Sequence, residues 1–375
     1  MKKTPIFLLI AFCLSFAANS HAATEKYIRV AVIQDSQYLR LAVNGIYKII
    51  DSRSGKVLAR GKNLRSTAVS SKDGILIAGK NYRSDKIYLE ADDPESISLN
   101  NRKFRGNIQI IKKNNLHLSA VNFIGLEDYV KGILYNEVSH YWPMDAIKAQ
   151  AVVSRTFAVY LIQQNKNKDY DATSDIYSQV YGGRSSERAR TNQAVDQTRG
   201  QVILYQKKIL PAFFHATCAG HTENAAELWD IDITPLKGVA CGFCQESPHY
   251  RWHYVTPVKE MEETLRKSGY KNCRGIKDIQ VLENDASGRI RYLKIILPQD
   301  TLKISAKDFR NIIGPNLIRS TNFSVEIAQK DAVFEGLGWG HGVGMCQWGA
   351  YFMAKAGKDF RQIIQYYFPG AQIRQ

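Results

Sequence analysis

Proline is scarce in this sequence, and long apolar runs are absent beyond its first 22 residues. The 375 residues include only 10 prolines, and no low-complexity linker or internal repeat divides the chain. No later stretch reaches the roughly 20 apolar residues that a membrane-spanning helix requires. A phosphate-binding Gly-Lys-Ser/Thr loop and a basic, aromatic-interleaved segment for nucleic acid are also missing. We therefore expect a folded globular protein with no transmembrane segment and no nucleic-acid partner.

The N-terminus has the pattern of a cleavable secretory signal at residues 1–22. Two lysines precede an apolar run from Ile6 to Ala18, and the small residues Ser20 and Ala22 occupy the positions that a signal peptidase reads. We therefore expect an exported protein, located in the periplasm or the cell-wall space. The formal net charge of +16 then favours association with an anionic polymer or with membrane headgroups.

The remaining sequence predicts an α+β fold. Residues 23–121 contain short alternating or apolar runs separated by turn pairs such as Asn44-Gly45, which indicates an N-terminal antiparallel β-rich region. Residues 122–375 predict a helical core packed against further β-rich segments. Within that core, residues 254–322 have the pattern of an α/β insert, including a helix near Ala306–Ile313. Nothing in the insert predicts chemistry.

Two helices with a short break between them are predicted for residues 125–164. Apolar residues recur at three- and four-residue spacing in the first helix, and they cover almost every side of the second, which predicts a central position. Glu137 lies at the break, between Tyr135 and the pair Tyr141-Trp142. A carboxyl group among aromatic rings is partly desolvated, which raises its pKa and suits a general acid for glycoside cleavage. The alternative is that Glu137 faces water at a helix end.

Cysteine spacing predicts a metal site. Cys218-x-x-His221 and Cys241-x-x-Cys244 have the loop spacing of a closed tetrahedral zinc site, which has no open position and is structural. His215 is an alternative to His221. Disulfides are the competing interpretation, since export leads to an oxidising compartment.

The other cysteines are not predicted to be ligands. Six cysteines are present, one of them, Cys13, within the predicted signal, so an odd number remains and cannot pair completely. Cys273 and Cys346 are expected to form a disulfide or to be simple buried residues.

A glycine-rich segment near the C-terminus predicts a loop that lines the substrate. Six glycines between Gly336 and Gly349 allow close backbone approach around His341 and Gln347. We interpret His341 and Gln347 as substrate-binding residues. The alternative for His341 is a packed structural role.

The motifs along the chain occur in the order typical of one protein family. They read LEDYVKGILYNEVSHYWPMDAIKAQAVVSRTFA, SQVYGG, TRGQVILY, FFHATCAGHTENAAELW, SPHYRW and GWGHGVGMCQWGA. Together they resemble the SpoIID/LytB family, over most of the chain from about Tyr27 to Ile373. Members of that family include a sporulation lytic transglycosylase that cleaves peptidoglycan and the so-called amidase enhancer. Cys346 is a departure, because the family usually has serine in its Gly-Met-Ser-Gln motif.

The resemblance implies a function and a catalytic residue. Glu137 would be the catalytic acid of a peptidoglycan lytic transglycosylase. Its substrate would be the glycan between N-acetylmuramic acid and N-acetylglucosamine, on denuded strands from which the stem peptides have been removed. A cell-wall amidase, or a division or wall-remodelling complex, is a further candidate partner. A structural zinc occurs in some members and not in others.

A single carboxylate is sufficient for this reaction. Hydrolytic glycosidases generally use two carboxylates, but here the muramyl 6-hydroxyl closes onto its own anomeric carbon and leaves a 1,6-anhydromuramyl end. No obvious second carboxylate adjoins Glu137 in the sequence. Glu223 is the residue that would change the interpretation to hydrolysis.

Six further residues are candidates for substrate binding. Four aromatic residues are interpreted as stacking platforms for sugar rings, although aromatic residues near glycine loops are at least as often part of a core: Tyr141, Trp142, Trp339 and Trp348. Lys148 and Arg155 are interpreted as ligands of the muramyl lactyl carboxylate, although each has the alternative of pairing with acidic neighbours. The alternative function for the whole chain is a non-catalytic glycan-binding module or amidase activator.

Overall fold

The fold is α+β, as the sequence predicted. A computed structural model describes residues 26–175 and 178–375, and the predicted signal at residues 1–22 lies outside the described residues. Helices and strands alternate irregularly, and the strands pair mainly antiparallel. Within the described ranges, no helix is both long and apolar enough to cross a membrane.

The N-terminal half is built on a large, mainly antiparallel sheet. Its strands are β1 (Tyr27–Ser36), β2 (Tyr38–Asp51), β3 (Val57–Ser71), β4 (Gly74–Ile77), β5 (Lys80–Tyr82), β6 (Lys86–Ala91), β7 (Ile97–Leu99), β8 (Arg102–Phe104), β9 (Asn107–Lys112), β10 (Leu118–Gly125) and β11 (Ala172–Thr173). The order along the sheet is β11-β1-β10-β9-β6-β2-β3-β4-β5, with β7 and β8 attached to β2. Alternating side chains of these strands form one apolar core together with the helices that follow.

The two predicted central helices are α1 (Leu126–Glu137) and α2 (Met144–Gln164). The predicted central position of α2 is confirmed, because most of its first 16 residues are buried. Its buried polar groups have internal partners: Gln150 Nε2 donates to Ser154 Oγ, and Thr156 Oγ1 donates to the Val152 carbonyl. These bonds avoid the cost of leaving a buried polar group unpaired, about 1–3 kcal/mol.

A second core forms on the other side of α2 from short elements. They are β12 (Val202–Tyr205), β13 (Lys208–Ile209), β14 (Phe214–His215), α4 (Ala225–Leu228), β21 (Met345–Cys346), α7 (Gln347–Lys355), α8 (Phe360–Tyr367) and β22 (Gln372–Arg374), with a 3-10 turn at Thr234–Leu236. Helix α3 (Ala189–Gln197) packs in the first core, and a 3-10 turn at Gly183–Ser186 precedes it. Strands β14 and β21 pair in parallel, with His215 opposite Cys346. This pairing joins two motifs that are more than 100 residues apart in the sequence.

The predicted insert has its own core. It contains β15 (Arg251–Pro257), α5 (Val258–Lys267), β16 (Asp278–Asn284), β17 (Ile290–Ile296), β18 (Thr301–Ser305), α6 (Ala306–Ile313), β19 (Phe323–Ala328) and β20 (Asp331–Leu337). Two three-stranded sheets, β15-β20-β19 and β16-β17-β18, pack with α5 and α6. This third core extends from Trp252 to Phe334, so it continues past the predicted end at residue 322.

Arg155 is a structural residue, and its predicted role in substrate binding is wrong. The side chain is fully buried and forms a bidentate ion pair with Glu127, with Nε–Oε1 and Nη2–Oε2 distances of 2.9 and 2.8 Å. Its Nη2 also donates to the carbonyl of Val195 in α3. One guanidinium group therefore joins α1, α2 and α3, and no donor is left for a ligand to reach from solvent.

We predict that Arg155→Met destabilises the protein by about 3–5 kcal/mol, because it leaves Glu127 as a poorly solvated, unpaired charge. Lys148→Met is the matched control on the same helix. Lys148 is partly exposed, so its loss should change stability by less than about 0.5 kcal/mol. Denaturant unfolding measures both values. An Arg155→Met protein as stable as the control would contradict the internal role.

Candidate active site

Glu137 is the last residue of α1, and its carboxyl group lies beside the loop at residues 178–182. Oε1 accepts a hydrogen bond from the Val180 amide at 3.2 Å. The neighbouring Asn136 side chain donates to the Val180 carbonyl at 2.9 Å, so both polar groups of one peptide residue are bonded to the end of α1. The carboxyl group is thereby fixed relative to the loop.

The loop is itself held by the two central helices. Tyr129 Oη donates to Gln179 Oε1 at 3.1 Å, and Gln179 Nε2 donates to the Ser154 carbonyl at 3.3 Å. Gly132 allows this close approach, because a Cβ at that position would lie 2.5 Å from the Tyr181 ring. A side chain at residue 132 would push the loop away from Glu137.

Enclosure by these groups changes the acidity of Glu137. Burial of the carboxyl group raises the pKa of Glu137 to about 7, even though hydrogen bonds from the Val180 amide and the Gln347 side chain act in the opposite direction. Desolvation dominates because the charged form loses more hydration than two neutral donors restore. The group is thus close to half protonated at neutral pH, which suits a general acid.

The aromatic residues that flank Glu137 in the sequence do not line the cavity beside its carboxyl group. Tyr141 is 83% exposed, and Trp142 packs against Trp348 and Tyr351 with ring centroids 5.1 Å apart in both pairs. Neither residue lines the cavity next to Glu137, and Lys148 does not line it either. Among the predicted substrate-binding residues, the structure brings Trp339, His341 and Gln347 to this cavity.

The cavity has a volume of about 610 Å³, within the range of roughly 300–1,000 Å³ typical of small-ligand sites. Glu137 and the loop at residues 178–180 line one side. Phe213, Trp229 and Trp339 supply aromatic surface, and the Phe213 and Trp229 rings stack with centroids 4.5 Å apart. Phe213 and Trp229 were not among the predicted site residues, although both lie in the FFHATCAGHTENAAELW motif.

Among the described residues that line the cavity, Glu137 is the single carboxylate. Glu223, the predicted alternative, is 1% exposed and lies elsewhere. It accepts a hydrogen bond from Ser287 Oγ at 2.9 Å and lies 4.0 Å from the Arg289 guanidinium. Glu223 therefore joins the insert to the core and does not face Glu137 across the cavity.

Gln347 positions Glu137 from the start of α7. It is 7% exposed, and its Nε2 donates to the Glu137 backbone carbonyl at 3.2 Å and to Gln150 Oε1 at 3.4 Å. The carbonyl at the end of a helix has no partner within the helix, so this side chain satisfies it. Gln347 thus connects α1, α2 and α7 at the edge of the cavity.

Two neutral imidazoles lie along the glycine-rich loop. His341 Nδ1 accepts a hydrogen bond from the Val343 amide at 3.1 Å, and His215 Nδ1 lies 3.1 Å from the Val343 carbonyl, to which it donates. Burial and the nearby Arg310 lower the pKa of His341 to about 3, and burial lowers the pKa of His215 well below its usual range. Both rings therefore act at neutral pH as hydrogen-bonding groups without charge.

Four buried cysteines form a cluster behind this loop: Cys218, Cys241, Cys244 and Cys346. Their sulfur atoms all lie within 4.8 Å of one another, whereas tetrahedral zinc with bonds of about 2.3 Å separates its sulfur ligands by about 3.8 Å. The Cys218 and Gly349 amides each donate to Cys346 Sγ at 3.3 Å. Such donors stabilise a thiolate, so these residues fit a closed tetrathiolate metal site.

The predicted fourth ligand was wrong. His221 lies outside the cluster, and its Nδ1 lies 2.6 Å from the Thr222 carbonyl. Its proposed substitute, His215, is also outside the cluster. Cys346 takes this place because the parallel pairing of β14 with β21 brings it next to the Cys218 loop. Of the two expectations for Cys273 and Cys346, the disulfide is wrong because both thiols are free, whereas Cys273 is a simple buried residue in the core of the insert.

Comparison with known proteins relates this geometry to a family. A family model described as Stage II sporulation protein (SpoIID) matches residues 114–205, which contain α1, α2 and Glu137. Stage II sporulation protein D of Bacillus subtilis is 30% identical over 271 residues, covering 68% of this chain and 76% of that protein. The chain belongs to the SpoIID family. The resemblance inferred from the motifs is thereby confirmed.

Two other relatives show how far the similarity extends. An uncharacterised protein of Brachyspira hyodysenteriae is 32% identical over 355 residues, covering 94% of each chain. The amidase enhancer of Bacillus subtilis is 26% identical over 291 residues, covering 65% of this SpoIID-family chain and 40% of the enhancer. A second family model, described as a domain of unknown function (DUF8618), matches residues 236–344 and thus includes the insert.

The raised pKa of Glu137 predicts a pH-dependent effect of Glu137→Gln on stability. In the folded wild type the carboxyl group must lose its proton in a poorly hydrated site, so folding is penalised above pH 7 and not below pH 4.5. Glutamine never ionises, so the variant should be more stable than the wild type at pH 8, by on the order of 3 kcal/mol or less for a shift from 4.5 to about 7.

The measurement is denaturant unfolding of both proteins at pH 4.5 and pH 8. The control is Glu246→Gln at an exposed glutamate, which should change stability little at either pH. Equal effects of Glu137→Gln at the two pH values would contradict a desolvated Glu137 carboxyl group.

Proposed function

We propose that this SpoIID-family protein is an exported lytic transglycosylase that acts on denuded peptidoglycan strands in the cell wall. The observation that carries the proposal is that Glu137 is the single carboxylate among the described residues lining the cavity, together with the burial that raises its pKa to about 7. One proton donor of this acidity is sufficient for the first half of glycoside cleavage, and the second half can use a group of the substrate.

In the first half of the reaction, the neutral carboxyl group of Glu137 donates its proton to the glycosidic oxygen between N-acetylmuramic acid and N-acetylglucosamine. The bond from this oxygen to the muramyl anomeric carbon breaks, and the glucosamine sugar leaves with a new hydroxyl group. The positive charge that develops on the muramyl ring faces a carboxylate that has just become negative. The Val180 amide and Gln347 stabilise that carboxylate, because both can donate hydrogen bonds to it.

In the second half, the muramyl 6-hydroxyl attacks the anomeric carbon of the same sugar. Glu137 accepts the hydroxyl proton and returns to its neutral form, so protons balance over the cycle. The product is a 1,6-anhydromuramyl end, and no water is consumed. Hydrolysis would need a second carboxylate to activate water, with the two groups about 5–9.5 Å apart, and none of the described residues lining the cavity supplies one beside Glu137.

Aromatic and amide groups of the cavity suit a sugar polymer. Phe213, Trp229 and Trp339 offer flat apolar faces of the kind on which pyranose rings pack, and the neutral His215 and His341 offer uncharged partners for hydroxyl groups. Gln347 holds the end of α1 and thereby the orientation of Glu137. These residues bind and orient the strand, whereas Glu137 moves the proton.

An amidase-activating, glycan-binding module is the second candidate function. It is favoured by the similarity to the amidase enhancer of Bacillus subtilis. In that case the cavity holds a strand without cleaving it, and a cell-wall amidase or a wall-remodelling complex is the partner.

Product analysis after incubation with peptide-stripped glycan strands separates these functions. We predict that the wild type forms 1,6-anhydromuramyl ends and that Glu137→Gln lowers their formation at least about a hundredfold, since general acid catalysis typically contributes 10²–10⁴-fold. Glu223→Gln is the matched control. Per amount of folded protein, it should form 1,6-anhydromuramyl ends as the wild type does. Reducing ends would mean hydrolysis. Strands that bind but stay intact would support the amidase-activating module.

We also propose that the cysteine cluster holds a structural zinc ion. Support comes from four buried thiols whose sulfur atoms all lie within 4.8 Å of one another, and from amide donors directed at Cys346 Sγ. The ion would cross-link three loops. It would take no part in glycan cleavage, because four protein ligands leave no open position for a substrate. Cys346 precedes Gln347, so this cross-link would fix the residue that orients Glu137.

Elemental analysis of purified protein tests this proposal. The wild type should contain about one zinc per chain, and Cys346→Ser should lose most of it, whereas His221→Ala should retain it. A chelator should lower the melting temperature of the wild type, because metal affinity contributes directly to folding stability. Full zinc content in Cys346→Ser, or iron in place of zinc, would contradict the assignment.

A further inference from the structure

The wall of the cavity away from Glu137 is supplied by the insert. Lys307, Arg310 and Asn311 of α6 line it, together with residues 315 and 316 that follow the helix. Lys307 reaches across to the core and donates from Nζ to the Leu228 carbonyl at 2.9 Å. The site therefore combines an acid from the family core with cations from a segment in which the sequence predicted no chemistry.

Arg310 is a desolvated cation without an anionic partner. Within the described part of the chain, its one hydrogen bond runs from Nη2 to the Pro315 carbonyl at 3.3 Å, and its buried Nε has no acceptor. No carboxylate of the described residues forms an ion pair with it. Burial lowers the pKa of Arg310 to about 10, so the group still carries its charge at neutral pH.

A desolvated guanidinium group without an anionic partner is suited to binding an anion. Arginine has five N–H donors in a planar fork that matches a carboxylate, and charged side chains are rarely buried without a partner. A partly buried cation that keeps most of its donors unused makes hydrogen bonds of unusual strength when an anion arrives, since little hydration remains to be removed.

A second unused group lies on the same cavity. His215 is 4% exposed, and its Nε2 has no hydrogen-bond partner. Since Nδ1 donates to the Val343 carbonyl, Nε2 carries no proton and is an acceptor. The cavity thus offers donors from Arg310 and an acceptor from His215, which together suit a ligand that has both an anionic group and hydroxyl groups.

We propose that Arg310 binds the free lactyl carboxylate of a muramyl sugar and thereby selects strands that have lost their stem peptides. This inference rests on the proposed function, since it names the group that the same cavity recognises on its substrate. A stem peptide converts that carboxylate into an amide, which has no charge and adds bulk next to α6. The insert is then the part of the chain that determines specificity, and Glu137 is the part that performs the reaction.

The experiment compares two substrates and three proteins. The substrates are denuded strands with free lactyl carboxylates and the same strands after conversion of the carboxylates to methylamides. The proteins are the full-length wild type, Arg310→Gln and, as a matched control, Lys303→Gln, which removes an exposed charge of the insert that does not line the cavity. The readouts are kcat/KM for anhydromuramyl ends and the dissociation constant for strands.

We expect the wild type and Lys303→Gln to prefer the free-carboxylate strands by about ten- to hundredfold in kcat/KM, the range for one charged hydrogen-bonded pair. Arg310→Gln should lose this preference through a higher KM and should treat the methylamide strands as the wild type does. Arg310→Lys, which retains the charge without the fork, should keep part of the preference. It replaces the glutamine variant if that protein does not fold.

Two results would overturn the assignment: equal activity of the wild type on both substrates, or an equal loss in Arg310→Gln on both. If the wild type binds strands without cleaving them, the transglycosylase proposal fails. The comparison of dissociation constants for the two substrates then still decides whether Arg310 recognises the carboxylate.

Discussion

The exclusion of water from one carboxyl group is the constraint on which the site depends. Glu137 ends α1, but the groups around it come from the loop at residues 178–182 and from Gln347, which lies 210 residues later in the sequence. A pKa near neutrality exists only while these segments stay together. The ion pair of Arg155 with Glu127 holds α2 against α1, and Cys346 caps the turn that carries Gln347, although neither Arg155 nor Cys346 lines the cavity.

Local patterns predicted the helices well because they depend on neighbours in the sequence. The apolar spacing of α1 and α2 and the insert helix at Ala306–Ile313 correspond to the structure closely, since each buries one continuous face. Glu137, which the sequence predicts as the catalytic acid, lines the cavity. Burial raises its pKa, as the sequence predicted, but the aromatic residues near it in the sequence do not line the cavity.

What the sequence could not predict is which distant segments converge. The Cys-x-x-His spacing favoured His221 as a ligand, whereas Cys346 joins the cluster through the pairing of β14 with β21, which the spacing does not reveal. In the sequence Arg155 has the features of a substrate-binding residue. In the structure its guanidinium group is bonded to Glu127, which lies 28 residues earlier. The sequence around Arg310 does not indicate a binding residue, because a cation on an amphipathic helix is normally solvated. Its role depends on how the insert folds back over the core.

The first turn of α7 is bonded both to the cysteine cluster and to the end of α1, so its stability affects both cores. The Cys346 sulfur accepts the Gly349 amide and belongs to the thiol cluster, while the next residue, Gln347, reaches the end of α1. Two consecutive residues thus tie the second core to the first. Local opening of this one turn would release both ties together, so the two cores should open as one cooperative unit there, although each has a separate apolar interior.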